Sequence, residues 1–506
     1  MKKTYLLLIA LVLTIATGAQ TLNVRVGSVT YLFPASQTNE MTFSDGTTLT
    51  IMGKTFTISD IDAMTIDYTS VTDGAIGVNY DGSSATITVA GNIAQYVTPT
   101  VSGAHVAIEQ SDNLADEITY TLSGSSSDGE FYMSGSYKAT IELNGLTLTN
   151  ASPVYSGSAV HIQNGKRIKV KVVTGTTNSL TDAANGSQKG CLYINGHAEF
   201  AQQGTLNIIG KTKHGIKTGD YMTLKNATIN ITSAVKDGIN CNEYLLIESG
   251  TINISNAGDE GIQCELDGET STGETTDHED EDSGNIYIEG GTLIVNASGE
   301  GIESKGEMIV TGGEVCVTAK DDAINSGGDM TISGGSVYAY STGNDGIDVN
   351  GNCYIKGGLV YAIGSREPEV AIDANSEQQK KLYITGGTIV AIGGLESGAE
   401  LTQSCYAANS WSQNTWYALT VGNDTFAFQT PASGGNTLVV SGASEPILTS
   451  GVTVSSGTKI FNGAGYTEAT VTGGSSVSLS SYTGGNGPGG GPGGGGPGGG
   501  PGGGWW

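Results

Sequence analysis

Acidic side chains return at one place relative to a recurring Gly/Ala-Ile pair: Asp237, Glu260, Glu300, Asp322 and Asp345 each stand immediately before it. The pairs are Gly238-Ile239, Gly261-Ile262, Gly301-Ile302, Ala323-Ile324, Gly346-Ile347 and Ala371-Ile372, preceded by Gly215-Ile216. A second polar series lies two residues past the first member of each pair: Asn240, Gln263, Glu303, Asn325, Asp348 and Asp373. A third, patchier one precedes the first and holds Asp259, Asp321, Asn344 and Glu369. Every member offers oxygen, and none offers sulfur or an imidazole nitrogen. Hard oxygen donors in such number select calcium over zinc or copper.

Successive pairs are 23, 23, 40, 22, 23 and 25 residues apart, and the 40 contains an acidic insertion over 266–283. Without it the period is about 22, which in a β-rich sequence means stacked coils, each unable to bury its apolar face alone. Neighbouring strands lie roughly 4.8 Å apart and calcium takes oxygens at about 2.4 Å, so one ion fits between carboxylates of successive coils. Two like charges at that spacing repel by about 0.9 kcal/mol in water and about 3.5 at an effective dielectric of 20. A bound cation removes that cost; the alternative is a solvated acidic edge built from residues that favour turns.

Three short strands per coil are expected from period-two alternation. The first is Gly-Ile-x-x, as in Gly238-Ile239-Asn240-Cys241, with Ile239 and Cys241 inward and Asn240 outward. The second precedes a Gly-Gly corner, as Met308-Ile309-Val310 precedes Gly312-Gly313, and the third follows it, as in Val315-Cys316-Val317. The fold class expected is all-β, a right-handed parallel β-helix solenoid over 76–397 with small β modules at both ends, 20–75 and 398–482. Residues 1–19 read as a signal peptide, with Lys2, Lys3, an apolar run and small residues before Gln20. Residues 483–506 form a Gly/Pro-rich tail that cannot bury a core.

The expected location is therefore outside the cytoplasm: the extracellular space, the cell surface or the periplasm. A formal net charge of −28 disfavours nucleic acid and anionic membranes, and no later apolar stretch is long enough to insert into a bilayer. Six cysteines without a CxxC are too few for a disulfide scaffold of this size; Cys241 and Cys264 sit at equivalent positions on adjacent coils and read as stacked thiols.

The coils Lys236-Asp237-Gly238-Ile239, Asp259-Glu260-Gly261-Ile262 and Asn344-Asp345-Gly346-Ile347 resemble a family of secreted bacterial carbohydrate-binding β-helix proteins. So does the segment Leu143 to Asn150. That family is similar to the pectate-lyase β-helices, and the resemblance, over about 115–395, implies calcium between coils and binding of plant cell-wall polysaccharide such as cellulose or polygalacturonate. Two tyrosine columns, Tyr338 with Tyr361 and Tyr287 with Tyr354 and Tyr383, suit either a sugar platform or cross-strand stacking.

Calcium-dependent carbohydrate binding without catalysis is the leading expectation. The alternatives are a pectate-type polysaccharide lyase and a surface adhesin or structural spacer. A lyase needs a base, for which Lys217 and Lys236 are the candidates; lysine beside carboxylates ordinarily keeps its proton, which counts against them.

Overall fold

The computed structural model describes residues 20–38, 41–266, 268 and 281–484. The signal-peptide reading, most of the acidic insertion with its Asp277 to Asp280 run, and the tail beyond Gly484 lie outside the described residues.

The chain is all-β, with a 29-stranded and an 11-stranded sheet dominated by parallel pairing. One repeat shows how the sequence builds them. Ile302–Ser304, Met308–Val310 and Glu314–Ala319 pair in parallel, in register, with Ile324–Ser326, Met330–Ile332 and Ser336–Ser341, the same three strands one repeat on. Alternate side chains face inward and stack on their equivalents: Ile302 on Ile324, Met308 on Met330, Val315 on Val337, all at most 1% exposed. Burying each such side chain stabilises the fold by roughly 1.5–3 kcal/mol. No repeat could gain this alone.

Two glycine positions carry the geometry. At the Gly-Gly corner the second glycine takes positive φ, +80° at Gly313 and +73° at Gly335, where a side chain would be strained. At Gly238 a Cβ would sit 2.7 Å from the Gly261 carbonyl oxygen of the next repeat, so only a small residue lets the strands approach.

The expected end modules are joined to the coils. Val29–Pro34 pairs in parallel with Ser84–Ala90, so part of 20–75 extends the large sheet, while Thr42–Ser44, Thr48–Ile51 and Lys54–Thr57 form a separate three-stranded antiparallel sheet. Ala75–Asp81 with Ser84–Ala90, and Val97–Ser102 with His105–Gln110, are antiparallel hairpins, so uninterrupted parallel stacking begins only near residue 118. At the other end Leu438–Ser441 runs antiparallel against Thr388–Ile392 and covers the last sheet edge. Trp416–Val421, Asp424–Gln429, Gly465–Ser476 and Ile447–Ile460 close into a four-stranded barrel.

That barrel overturns one expectation. Tyr338 and Tyr361 point away from the coil interior but are 8% and 0% exposed. Phe461 lies 5.6 Å from Tyr338, Phe428 lies 5.2 Å from Tyr361, and the Tyr361 hydroxyl donates to Gln429 O at 2.9 Å. An outward column of rings is apolar area, and here the C-terminal barrel buries it; no sugar can lie on it.

All six cysteines are buried free thiols, and Cys241 stacks on Cys264 in register. The third strands carry an asparagine ladder that spacing alone did not reveal: Asn253 donates to Asn230 and Asn230 to Asn207, each at 2.9 Å.

Candidate functional site

The 11-stranded sheet positions the acids, because in-register pairing turns each repeated residue into a column. The second series runs Lys217, Asn240, Gln263, Glu303, Asn325 and Asp348, each paired with the next. Asp373 follows, one residue past the Ile347–Ile372 bridge. Toward the N-terminus the same column continues through Tyr193, His161 and Tyr132.

The first series is not a solvated edge at every coil. Asp237, Asp322 and Asp345 are 1%, 5% and 9% exposed. Asp322 Oδ1 accepts the Asp345 N–H at 2.9 Å, and Asp345 Oδ1 accepts the Val370 N–H at 2.5 Å. Burial, reinforced by neighbouring carboxylates, pushes Asp322 up to about 8 and Asp345 up to about 7. Glu300 shares their column, half-buried on the coil between Glu260 and Asp322.

Amides space the second column. Asn240 Nδ2 donates to Asp237 Oδ2 at 2.7 Å and to Gln263 Oε1 at 2.8 Å; Gln263 Nε2 donates to Glu303 Oε2 at 2.5 Å; Asn325 Nδ2 donates to Asp348 Oδ2 at 2.9 Å. Asn240 Oδ1 accepts from Lys217, and Gln263 Oε1 from Asn240, so these two oxygens, expected as metal ligands, are spent on protein donors. Glu303 is likewise paired with Lys305. In the third series Asp259 pairs with Lys236 at 3.3 Å and Asp321 accepts from Asn344 at 2.8 Å.

Two groups of carboxylates converge, Asp237–Asp259–Glu260 and Asp345–Asp348–Asp373, with ligand oxygens within 4.8 Å of one another. Their electrostatics differ. At the lower group the His214 ring lies 3.1 Å from Asp237 and lowers its pKa against the effect of burial, while Glu260 is pushed up to about 8 by burial and by Asp237. Asp237 Oδ1 is buried without a hydrogen-bond partner among the described residues. His214 and Lys236, the latter bonded to Asp259, stand beside this group.

Among the described residues no lysine, arginine or histidine is paired with the upper group. Asp373 is pushed up to about 9 by burial and then by Glu396, Asp345 and Asp348, and Asp348 is raised as well. These carboxylates resist ionising together unless a cation joins them. An all-oxygen set at this spacing fits calcium, and Asp345, Asp348 and Asp373 are the residues that would hold it.

His214 and Glu396 were missed by counting, though both were legible. His214 precedes Gly215-Ile216 as Asp237 precedes Gly238-Ile239. Glu396 extends the second column, because Leu395 bridges to Ile372.

Of the remaining tyrosines, Tyr354 and Tyr383 stack on each other at 5.0 Å with 12° between planes, and Lys356 Nζ lies 4.9 Å over Tyr354. The ring faces turned toward each other are occupied, so a sugar at the surface would meet edges.

Lys217 lies in a pocket of about 570 Å³ lined also by Lys189, Tyr193, His214, Lys236 and Asp237. Burial lowers its pKa despite the nearby acids, contrary to the expectation from charge alone. Lys236 behaves as that expectation requires: its bond to Asp259 raises it.

A family model described as carbohydrate-binding domain-containing protein matches residues 102–368 and again 286–476. The chain belongs to this family. Both the converged carboxylates and the Lys217 pocket fall inside the matched span. Among solved structures the chain is similar to the polysaccharide lyase-like protein from C. thermocellum, a gadolinium derivative, at 22% identity over 56% of this chain and 96% of that one, with a TM-score of 0.40. No curated protein matches the chain.

Proposed function

We propose that this is an exported, calcium-dependent binder of plant cell-wall polysaccharide, acidic and pectin-like in preference to cellulose, whose coils wind as a right-handed parallel β-helix. The observation that carries the reading is the convergence of Asp345, Asp348 and Asp373 on the outward face of a chain of the carbohydrate-binding family. Calcium bound there would neutralise the crowded carboxylates and offer open positions to a glycan carboxylate. The residues themselves prepare the place. Asn325 holds Asp348, the Val370 N–H holds Asp345, and burial followed by Glu396 raises the Asp373 carboxyl.

Affinity electrophoresis through polygalacturonate and through a neutral glucan, with calcium or with chelator, tests this. Retention by the acidic polymer should depend on calcium. Equal retention by both polymers, indifferent to chelator, would sink the reading.

One observation favours a second reading, a polysaccharide lyase. Lys217 is buried and its pKa lowered, as a base removing the proton α to a uronate carboxylate requires. Unsaturated product absorbance from polygalacturonate, abolished by Lys217→Met, would establish it in place of the first.

A further inference from the structure

All three columns pass from basic or neutral to acidic residues over a few successive coils, the first between His214 and Asp237, the third between Lys236 and Asp259, and the second through Asn240 and Gln263 to Glu303. Reading from the N-terminal side, the third column holds Lys189, Lys213 and Lys236 before it reaches Asp259; Lys189 and Lys213 immediately precede the paired residues Gly190 and His214. The first column passes from His214 to Asp237 and Glu260, and the second from Tyr193 and Lys217 to Asn240 and the acids beyond. Residues 161–236 carry ten lysines and arginines against three acids in a chain whose formal charge is −28; among the described residues Arg167, Lys171, Lys225 and Lys236 are paired with carboxylates, and Lys189 and Lys217 are not. Lysines repeated on successive coils repel one another as the acids do, and such a concentration in an otherwise anionic protein calls for an anion.

The pocket at this reversal is built to receive one. Lys217 is 8% exposed, and its ammonium donates to Asn240 Oδ1 at 2.5 Å and Asn242 Oδ1 at 2.6 Å. An ammonium has three N–H donors, and the third has no protein acceptor among the described residues. Lys189, across the same pocket, is exposed, has no carboxylate partner among the described residues, and lies 5.7 Å over the Tyr193 ring. Unlike Lys236, which is committed to Asp259, these two charges are available.

We infer that the Lys189–Lys217 pocket is a direct anion subsite, taking a carboxylate or sulfate of a glycan without a bridging metal. The inference rests on the carbohydrate-binding reading and adds a second mode of recognition to it. An acidic chain lying along the coils meets lysine at one end of the site and the crowded carboxylates at the other, so the columns also fix its direction.

The test is binding in excess chelator, by titration calorimetry with an oligogalacturonate and, in a parallel arm, a sulfated glucan oligosaccharide. The parent should bind in chelator, more weakly as salt rises. Lys189→Gln, at an exposed position, should weaken that binding about tenfold, the worth of one charge-assisted hydrogen bond. Lys217→Met should weaken it at least as much, and a neutral glucan should be unaffected by either change. Preference for one oligosaccharide then identifies the anion. If the parent binds with calcium but not at all in chelator, or if both variants bind in chelator like the parent, the subsite is overturned while the calcium-dependent reading stands. Failure of every glycan to bind under either condition overturns both.

Discussion

Replacing Asp345 with asparagine separates the cost of a crowded carboxylate from its use. The asparagine keeps an Oδ1 acceptor for the Val370 N–H, bonded at 2.5 Å, and removes only the charge. In metal-free protein, burial first and then Glu369, Asp348 and Glu396 push the Asp345 carboxyl from 3.8 up to about 7. The folded state therefore holds a proton that the unfolded chain releases. Stability is fully present below the unfolded value and is lost as pH rises, the loss being complete above the folded value. Carried in full, that rise corresponds to about 4 kcal/mol. Thermal melts in chelator should show Asp345→Asn more stable than the parent at alkaline pH, the two converging near pH about 4. Calcium should close that gap, because at a thousandfold excess over Kd a ligand adds about 4.1 kcal/mol to the state that binds it, and the variant has lost a ligand. A gap that ignores pH, or the same gap with chelator and with calcium, would refute the reasoning.

Three further outcomes are expected. Tyr361→Ala removes a fully buried ring and its bond to Gln429 from beneath the barrel, at a cost of about 3–5 kcal/mol; limited proteolysis should then release C-terminal fragments that the parent protects, and an unchanged digest would show that the barrel does not depend on this contact. Asn230→Leu leaves Asn207 Oδ1 and Asn253 Nδ2 without their ladder partner, and the denaturation midpoint should fall by the equivalent of about 1–2 kcal/mol. The double change Tyr354→Ala with Tyr383→Ala should leave glycan affinity within about twofold, since the pair is worth its mutual stacking; a larger loss in affinity electrophoresis would return these rings to the binding surface.

The repeat was legible because its cause is local. Glycine is required where a Cβ would strike the next coil, alanine is the largest residue found at the equivalent positions, and isoleucine fills the interior beside them, so the Gly/Ala-Ile pairs mark every coil from 215 to 372. The same count put Asp345, Asp348 and Asp373 on one face, and the structure brings them together. Burial by distant sequence was not legible. Nothing near Tyr338 or Tyr361 announces that Phe426, Phe428 and Phe461, far along the sequence, will cover them. Asn240 and Gln263 carry the right atoms for a metal, and only the bonds they make show those atoms committed to protein donors. Lys217 illustrates a conflict of two effects: charge neighbours are visible in sequence and would raise its pKa, whereas the burial that outweighs them depends on how neighbouring coils enclose it.

Because the strands pair in register, the protein can change length in whole coils. Removing Gly301 through Asp322, 22 residues, would join Glu300 directly to Ala323-Ile324 and preserve the acid-small-isoleucine phase. Every later side chain would move down one step, still facing the side it faced before. The molecule is graduated like a ruler, with one mark per coil. A polymer read along such a scale can be matched by adding or deleting marks, without redesigning any of them.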